Sequence, residues 1–440
     1  MKNKFKITFA VICAIICLFT FTSCNNTALN GKSTLLGSPK KAERVDFAEL
    51  NTEGYLSFKN SVESFASDFA ACAYADYGQT DNFAVSPVSV YMALALASQC
   101  AEGDTRQEIL NALNVTNGQL KTHFATLYNS LAVERKADGV VTGLLDLSNS
   151  IWINEGANVK KDCIQSLSDD FYAYLYSAPF ATDNINANKA VQDFVKKQTR
   201  GLIDKEFNLS MNTLFALINT LYLKTIWNTS GNELPYASGK YDFAAYDGTV
   251  TSTQLLQGDY VSGRAAHFDA FDTFYTATAD GYKIKFIVPC GGFTVDQVFT
   301  AQNLALVNGL KDYGGIDDET DTHYFTRVLF PEYKCKYDKN IKDLLKDNFG
   351  INSLFSGLRC DFTALTDNEC YCSSICHVTD LTVDKNGIEG AAVTVLAVTE
   401  AYPGTPVKNV REDFVIDKAF GFIITDSNDV TLFSGVVNGI

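Results

Sequence analysis

Basic residues are in short supply. Against 51 Asp and Glu the 440-residue chain sets only 36 Lys and Arg, a net charge of −15. Loss of Lys2, Lys4 and Lys6 with a cleaved leader takes it to −18. A surface of that sign argues against nucleic acid and heparin-like polyanions as partners. Histidine is scarcer still, with four in the chain. His123, His267 and His323 stand alone, with no carboxylate or Cys at a catalytic spacing. A Gly-rich phosphate loop, a nucleophile elbow and a linear metal motif are also lacking. No catalytic residue, metal or cofactor is therefore expected, and a hydrolase or transferase is disfavoured. No repeat, low-complexity tract or linker breaks residues 45–440. With 46% apolar residues the chain can bury a sizeable core, so a single α+β domain over 51–440 is expected.

The N-terminus reads differently. Lys2, Lys4 and Lys6 precede an almost wholly apolar run from Ile7 to Phe21. Phe21-Thr-Ser-Cys24 then resembles a bacterial lipobox, with small residues before a Cys that receives lipid. Residues 1–24 are expected to be a lipoprotein signal peptide. An uncleaved membrane helix competes, but the apolar run is short for a full span. Export follows, with a lipid on Cys24 holding the protein in the cell envelope, facing periplasm or exterior. Residues 25–50, polar at first and without apolar period, are expected to be a flexible tether.

Nine cysteines remain outside the leader: Cys72, Cys100, Cys163, Cys290, Cys335, Cys360, Cys370, Cys372 and Cys376. An odd, scattered set cannot all pair within one chain, and they read mainly as small buried hydrophobes. Cys370, Cys372 and Cys376 beside His377 invite a zinc or Cys-His reading. On a strand, however, the cysteines would share one face and His377 the other, which disfavours shared ligation.

Along the body, Phe58–Tyr77 has helical apolar spacing, and Ser86 is placed to cap a helix opening on Pro87. Thr105-Arg-Gln-Glu108 has the form of a capping box for a helix over Ile109–Leu113. Strands are expected at Leu145–Asn154, Phe215–Trp227, Phe274–Thr278, Tyr282–Val288 and Phe325–Tyr333. Helices are expected at Asn188–Lys197 and Tyr337–Gly350. Near the end, Gly387 and Gly390 mark a flexible entry to a β-branched run, Val393–Thr399, and Tyr402-Pro-Gly-Thr-Pro reads as an exposed loop. By parity, Ile388, Gly390, Ala392, Thr394, Leu396 and Val398 form one uncharged face.

Several of these blocks have a familiar form. Asp384-Lys-Asn-Gly-Ile-Glu-Gly-Ala-Ala-Val-Thr resembles the reactive-loop hinge of the serpins. Asn82–Leu113, Thr199-Arg-Gly-Leu-Ile, Phe215–Trp227, Phe420-Gly-Phe-Ile-Ile-Thr-Asp and Leu432–Asn438 are similar to serpin blocks in the same order. The resemblance covers roughly residues 55–440. It implies the serpin fold: a large central mixed β-sheet, further sheets, eight or nine helices and an exposed reactive-centre loop. It also implies a monomeric suicide-substrate inhibitor of serine, and also cysteine, proteases.

In this reading the protease cleaves the loop and is trapped as an acyl-enzyme. The segment from the hinge (Gly387, Ile388, Glu389, Gly390, Ala391, Ala392) then enters the sheet as a new strand. About fifteen residues at 3.3 Å each would carry the protease roughly 50 Å. The family's usual interval places the scissile bond at Ala401–Tyr402, suiting elastase-like or subtilisin-like enzymes. Lys408 or Arg411 could draw trypsin-like ones as a substrate outcome. Ser86, Ser89, Asn219, Trp227 and His377 match the positions that hold the sheet shut. Two departures, Ile388 for the usual Thr and Gly390 for the usual Ala, would slow insertion without forbidding it. The alternative is a non-inhibitory serpin, a binding or structural protein whose loop is only a protease substrate.

Overall fold

The computed structural model describes residues 29–78, 81–132, 134–137, 140–229, 233–311, 313–317, 319–373, 375–389 and 408–440. Cys24 and the leader lie outside them, as do Gly390, Ala391, Ala392, Ala401, Tyr402 and the Val393–Thr399 run.

The architecture is α+β, with mixed sheets and ten α-helices among the described residues. Two of those helices, Phe47–Leu50 and Val295–Val298, have only four residues, so the count slightly exceeds the eight or nine expected. Strands important here are β1 (Thr34–Gly37), β2 (Phe83–Val85), β3 (Val140–Asn154), β4 (Ala173–Ala178) and β5 (Phe215–Thr225). After them come β6 (Thr322–Phe330), β7 (Tyr333–Asn340), β8 (Cys376–Asp384), β9 (Gly387–Ile388) and β10 (Lys408–Val415). The helices needed are α1 (Glu53–Tyr77), α2 (Pro87–Cys100), α3 (Gly103–Ala112), α4 (Lys161–Asp169) and α5 (Asn184–Gln198).

The largest sheet runs β1-β4-β3-β5-β9-β8-β7, with Glu134–Ala137 added on β3. Only β3 and β4 are parallel within it. One face packs on α1 and α2 in the main core, where Phe58, Phe65, Phe69, Tyr91 and Leu94 are fully or almost fully buried. The other face is covered by α5. Val191, Phe194 and Val195 meet Trp152, Ala216 and Ile218 there in a second, smaller core. With a helix layer on each side, β5 is buried on both faces and reads as a continuous apolar run. A six-stranded sheet contains β2 and the C-terminal strands, and a third sheet is built around β6.

Several boundaries differ from the sequence reading, each for a local reason. Glu102 rather than Thr105 is the residue before α3, and Thr105 lies inside the helix. Its hydroxyl bonds Arg359 O (3.3 Å) and accepts from Asp361 N–H (3.0 Å). The Glu108 carboxylate accepts from Asn352 N–H (2.7 Å) and Ser353 N–H (2.6 Å). Tertiary partners have taken both side chains of the supposed capping box. Ser86 precedes α2 as expected, but its side chain makes no cap bond. Tyr337–Asn340 belongs to β7, and the helix starts only at Lys342.

The expected tether is also corrected over its described part. β1 pairs antiparallel with β4, Leu35 opposite Tyr176, at the outer edge of the main sheet. Gly31 N–H donates to the Asp193 carboxylate (3.1 Å), Lys32 N–H to Asn186 O (3.0 Å), and Lys32 Nζ meets Asp183 (2.5 Å). A Cβ on Gly31 would strike the α5 backbone at Asn186 and Ala190. This segment lies on the folded body because its backbone groups find partners there. Gly31→Val is therefore expected to cost about 1–2 kcal/mol by overpacking. Urea unfolding reads the effect, and an unchanged midpoint would show that the segment contributes nothing.

Candidate functional site

The hinge begins with a turn tied down from several sides. Asn386 N–H donates to Asp384 Oδ1 (2.7 Å), and Lys385 N–H to Glu332 (2.9 Å). Lys385 Nζ pairs with Glu233 (2.9 Å), and the Trp227 indole N–H donates to Asp384 O (2.8 Å). Trp227 is itself buried and packs edge-on against Phe330, 5.8 Å between ring centres. The turn reverses the chain so that β9 lies antiparallel beside β8, Val383 opposite Ile388. On its other side Ile388 pairs with Thr225 of β5.

Gly387 makes this approach possible. Its φ is +139°, and a Cβ there would collide with the Thr225 carbonyl. Gly387→Val is expected to cost about 2–3 kcal/mol and to push the hinge away from β5. Trp227 fluorescence would move in step, whereas wild-type stability and emission would contradict the required close approach.

The strand stops after two residues. Glu389 takes a φ of +50°, left-handed for a non-Gly residue, and its N–H donates to Thr382 O (3.0 Å). Its side chain lies beside Tyr222 of β5, and partial burial raises its pKa. Ile388 is 0% exposed. Among the described residues β5 and β8 share no ladder with each other, and β9 alone joins them. Beyond the hinge, Lys408–Val415 forms a parallel ladder with β6 from Thr322–Lys408 to Leu329–Val415. Lys408 and Arg411 thus sit in a paired strand, with the Arg411 guanidinium 5.2 Å from the Tyr260 ring centre. The sequence reading offers both as cleavage points for trypsin-like enzymes, which a paired strand does not readily present.

Below the hinge, the first turn of α2 reaches both strands that flank β9. Ser86 N–H donates to His377 Nε2 on β8 (3.0 Å). The Ser89 hydroxyl donates to the Asn219 side-chain carbonyl on β5, and Asn219 Nδ2 donates to Asn149 on β3. His377 packs against Phe69 and Tyr337, and burial pushes its pKa down to about 3. The ring is neutral at ordinary pH. Because Nε2 accepts, its single proton is on Nδ1.

The structure thus brings Ser86 to His377 and Ser89 to Asn219, as two separate contacts from one helix turn. Trp227 belongs to the turn above. Sequence reasoning missed Asn149, fully buried and directly opposite Asn219 in the ladder, and Thr379, whose hydroxyl donates to Ala84 O. Ser148-Asn-Ser150 was the available signal, three polar residues inside an apolar strand. Cys370 and Cys372 precede β8, so the facing argument for the three cysteines does not apply to them.

The family model described as serpin (serine protease inhibitor) matches residues 60–439. The chain belongs to the serpin family. It is 28% identical to Iripin-1 of Ixodes ricinus over 82% of this chain and 89% of that protein. Identity to the alpha-1-antiproteinase of Rattus norvegicus is 24%, covering 90% and 93%. Among solved structures, the thermophilic serpin tengpin in its native state superposes with a TM-score of 0.70 at 21% identity. That match covers 93% of this chain and all of the other. Arabidopsis AtSerpin1 in its native stressed conformation also scores 0.70, at 20% identity and covering 87% and 98%. The serpin family's general activity is protease inhibition, and serpins act as inhibitors rather than catalysts.

Proposed function

We propose that this serpin is a suicide-substrate inhibitor of elastase-like or subtilisin-like serine proteases, exported and held in the cell envelope by a lipid on Cys24. The target's Ser attacks the Ala401 carbonyl, the Ala401–Tyr402 bond breaks, and Tyr402 leaves with the new amino terminus. Residues after Ile388 then extend β9 between β5 and β8, drawing the acyl-enzyme along and distorting its oxyanion hole. The carrying observation is β9 itself. Its two residues already occupy the position of a strand between β5 and β8, which have no direct ladder to one another.

The energetic argument is cooperative strand addition. Each added residue gains ladder bonds on two sides and buries alternate uncharged side chains. The small Ala401 side chain suits a shallow apolar specificity pocket. Pro403 disfavours cleavage after Tyr402. Location of Lys408 and Arg411 in β10 favours the upstream bond, since cutting there would first require unzipping a ladder.

Incubation with pancreatic elastase tests the reading. The expected result is an SDS-stable adduct together with a released peptide beginning at Tyr402 by mass spectrometry. Cleavage with complete protease turnover and no adduct would support the non-inhibitory alternative.

A further inference from the structure

The sheet built around β6 has an outer face that neither the core nor the hinge uses. Thr322, Thr326 and Val328 recur at alternate positions along β6 and are almost fully buried, so that side of the strand lies on the core. His323, Phe325 and Arg327 point the other way and stay partly exposed. Strand register carries this outer face onto the neighbours. Ile316 lies opposite His323, and Ser262 lies opposite Phe325. On the other flank, Arg411 of β10 lies opposite Phe325, and Asp413 opposite Arg327.

Tyr260, the residue before the short strand Val261–Ser262, stands at the centre of the face. The guanidinium carbons of Arg411 and Arg327 lie 5.2 and 5.0 Å from its ring centre. The two cations are not equivalent. Arg327 is committed to Asp413 through two bonds of 2.6 and 3.1 Å. Arg411 is exposed and takes part in no ion pair among the described residues. An acidic chain thus holds one free guanidinium flat against a Tyr that is itself 38% exposed. Phe325 and the 59% exposed Ile316 share that side of the sheet. Aromatic and Arg side chains at the middle, with Ser262 and Asn409 beside them, have the make-up of a protein contact centre within a polar rim.

Chain length says which protein could cover it, given the inhibitor reading above. Tyr402 precedes Lys408, where β10 begins, by six residues and Arg411 by nine. Fully extended, those stretches span at most about 20 and 30 Å. A serine protease of roughly 250 residues has a radius of gyration of about 18 Å. An enzyme engaged at Ala401–Tyr402 is therefore broad enough to reach this face while it holds the loop.

We propose that Tyr260 and Arg411 form a second contact for the target protease, on the Tyr402 side of the cut, met by an enzyme surface that offers a carboxylate to Arg411 and an apolar side chain to Tyr260 and Phe325. The partner's identity rests on the inhibitor reading; the face itself does not. The contact forms before the bond breaks and on a sheet separate from the one that contains β9. It therefore sets how fast an enzyme engages the loop, leaving the division between adduct and cleaved protein unchanged. It also separates enzymes whose specificity pockets accept Ala equally well.

The test uses the full chain and its Tyr260→Ala, Arg411→Ala and Arg411→Lys variants, each with pancreatic elastase and separately with subtilisin. Gels read the initial rate of loop scission and the adduct fraction, and urea unfolding reads stability. With at least one enzyme, Tyr260→Ala and Arg411→Ala should each slow scission about tenfold at an unchanged adduct fraction. Arg411→Lys should recover only part of the rate, since Lys keeps the charge but lacks the flat stacking group. Wild-type rates in every variant with both enzymes overturn the proposal. So does a changed adduct fraction with a lowered urea midpoint, which would make the stack a clamp on β10. Scission that depends on Tyr260 and Arg411 yet leaves no adduct keeps the contact and removes the inhibitor reading. Normal adduct at unaltered rates does the reverse, and failure of both enzymes to cut the loop removes both.

Discussion

Ile388→Arg is expected to abolish the elastase adduct and to lower unfolding stability by about 3 kcal/mol. Ile388 is fully enclosed between β5 and β8, and an Arg there cannot shed its charge as a buried Lys can. The cost is bounded by an escape route. β9 is only two residues long, so the substituted hinge can leave the sheet rather than bury a guanidinium. In that undocked state the loop can still be cut, but strand addition would have to begin by burying the charge. The protein should then behave as a substrate. Ile388→Thr, which restores the residue usual in the family, is the control and should retain the adduct. Denaturant unfolding and the ratio of adduct to cleaved protein on a gel read the two effects. Undiminished adduct from Ile388→Arg would remove the insertion mechanism.

The second large effect is in pH. His377 has a pKa of about 3 in the folded protein and an ordinary value near 6.5 when unfolded. Between those values the unfolded chain binds the proton and the native one does not. The His377 contribution is therefore complete above about pH 6.5 and is lost as pH falls toward 3. The slope is about 1.4 kcal/mol per pH unit, and the whole window is worth on the order of 4–5 kcal/mol.

Glu63 works against this slope. Burial raises its carboxyl to about 7, so its contribution is present at low pH and is lost as pH rises through 7. The His377 effect must be read as a difference between wild type and His377→Gln, since Glu63 is common to both. Gln can still accept from Ser86 N–H but does not titrate. The stability gap between the two proteins should change by roughly 2 kcal/mol from pH 6.5 to pH 5. A constant gap would mean that His377 is not held neutral.

How legible all this was depended on where the controlling interactions lay. Phe215–Thr225 could be read because a doubly covered strand shows in its own composition, and Leu145–Asn154 by its alternation, although that strand opens earlier, at Val140. The α1 end and the α2 start followed from apolar spacing and from Pro87, while α1 opens at Glu53, five residues before the expected Phe58. Thr105 and Glu108 misled because a capping box and a pair of long-range anchors use the same side chains in the same spacing. Residues 29–43 misled for a related reason: Gly31 and Lys32 reach Asp193, Asn186 and Asp183 mainly through backbone and surface charge, leaving no apolar period. Family resemblance named Ser86, Ser89, Asn219, Trp227 and His377 together; the structure joins Ser86 to His377 and Ser89 to Asn219, contacts that local pattern alone would not have suggested. Neither route found Asn149, whose role depends on the residue opposite it in the ladder.

The N-terminal strand has one more implication, for behaviour in crowded solution. A sheet that, under the inhibitor reading, admits a strand from its own chain is equally receptive, along any bare margin, to one from a neighbour. Here β1 is the edge strand along one margin, only four residues long and with an irregular register against β4, so it offers a stranger little regular backbone to pair with. Along the opposite margin, β7 turns Lys334 and Lys336 outward, and burying those ammonium groups would penalise an incoming stranger. Aggregation by lateral strand capture is thus opposed at both borders, by a short irregular edge on one and by charge on the other, and under the inhibitor reading the chain's own loop would still enter between β5 and β8.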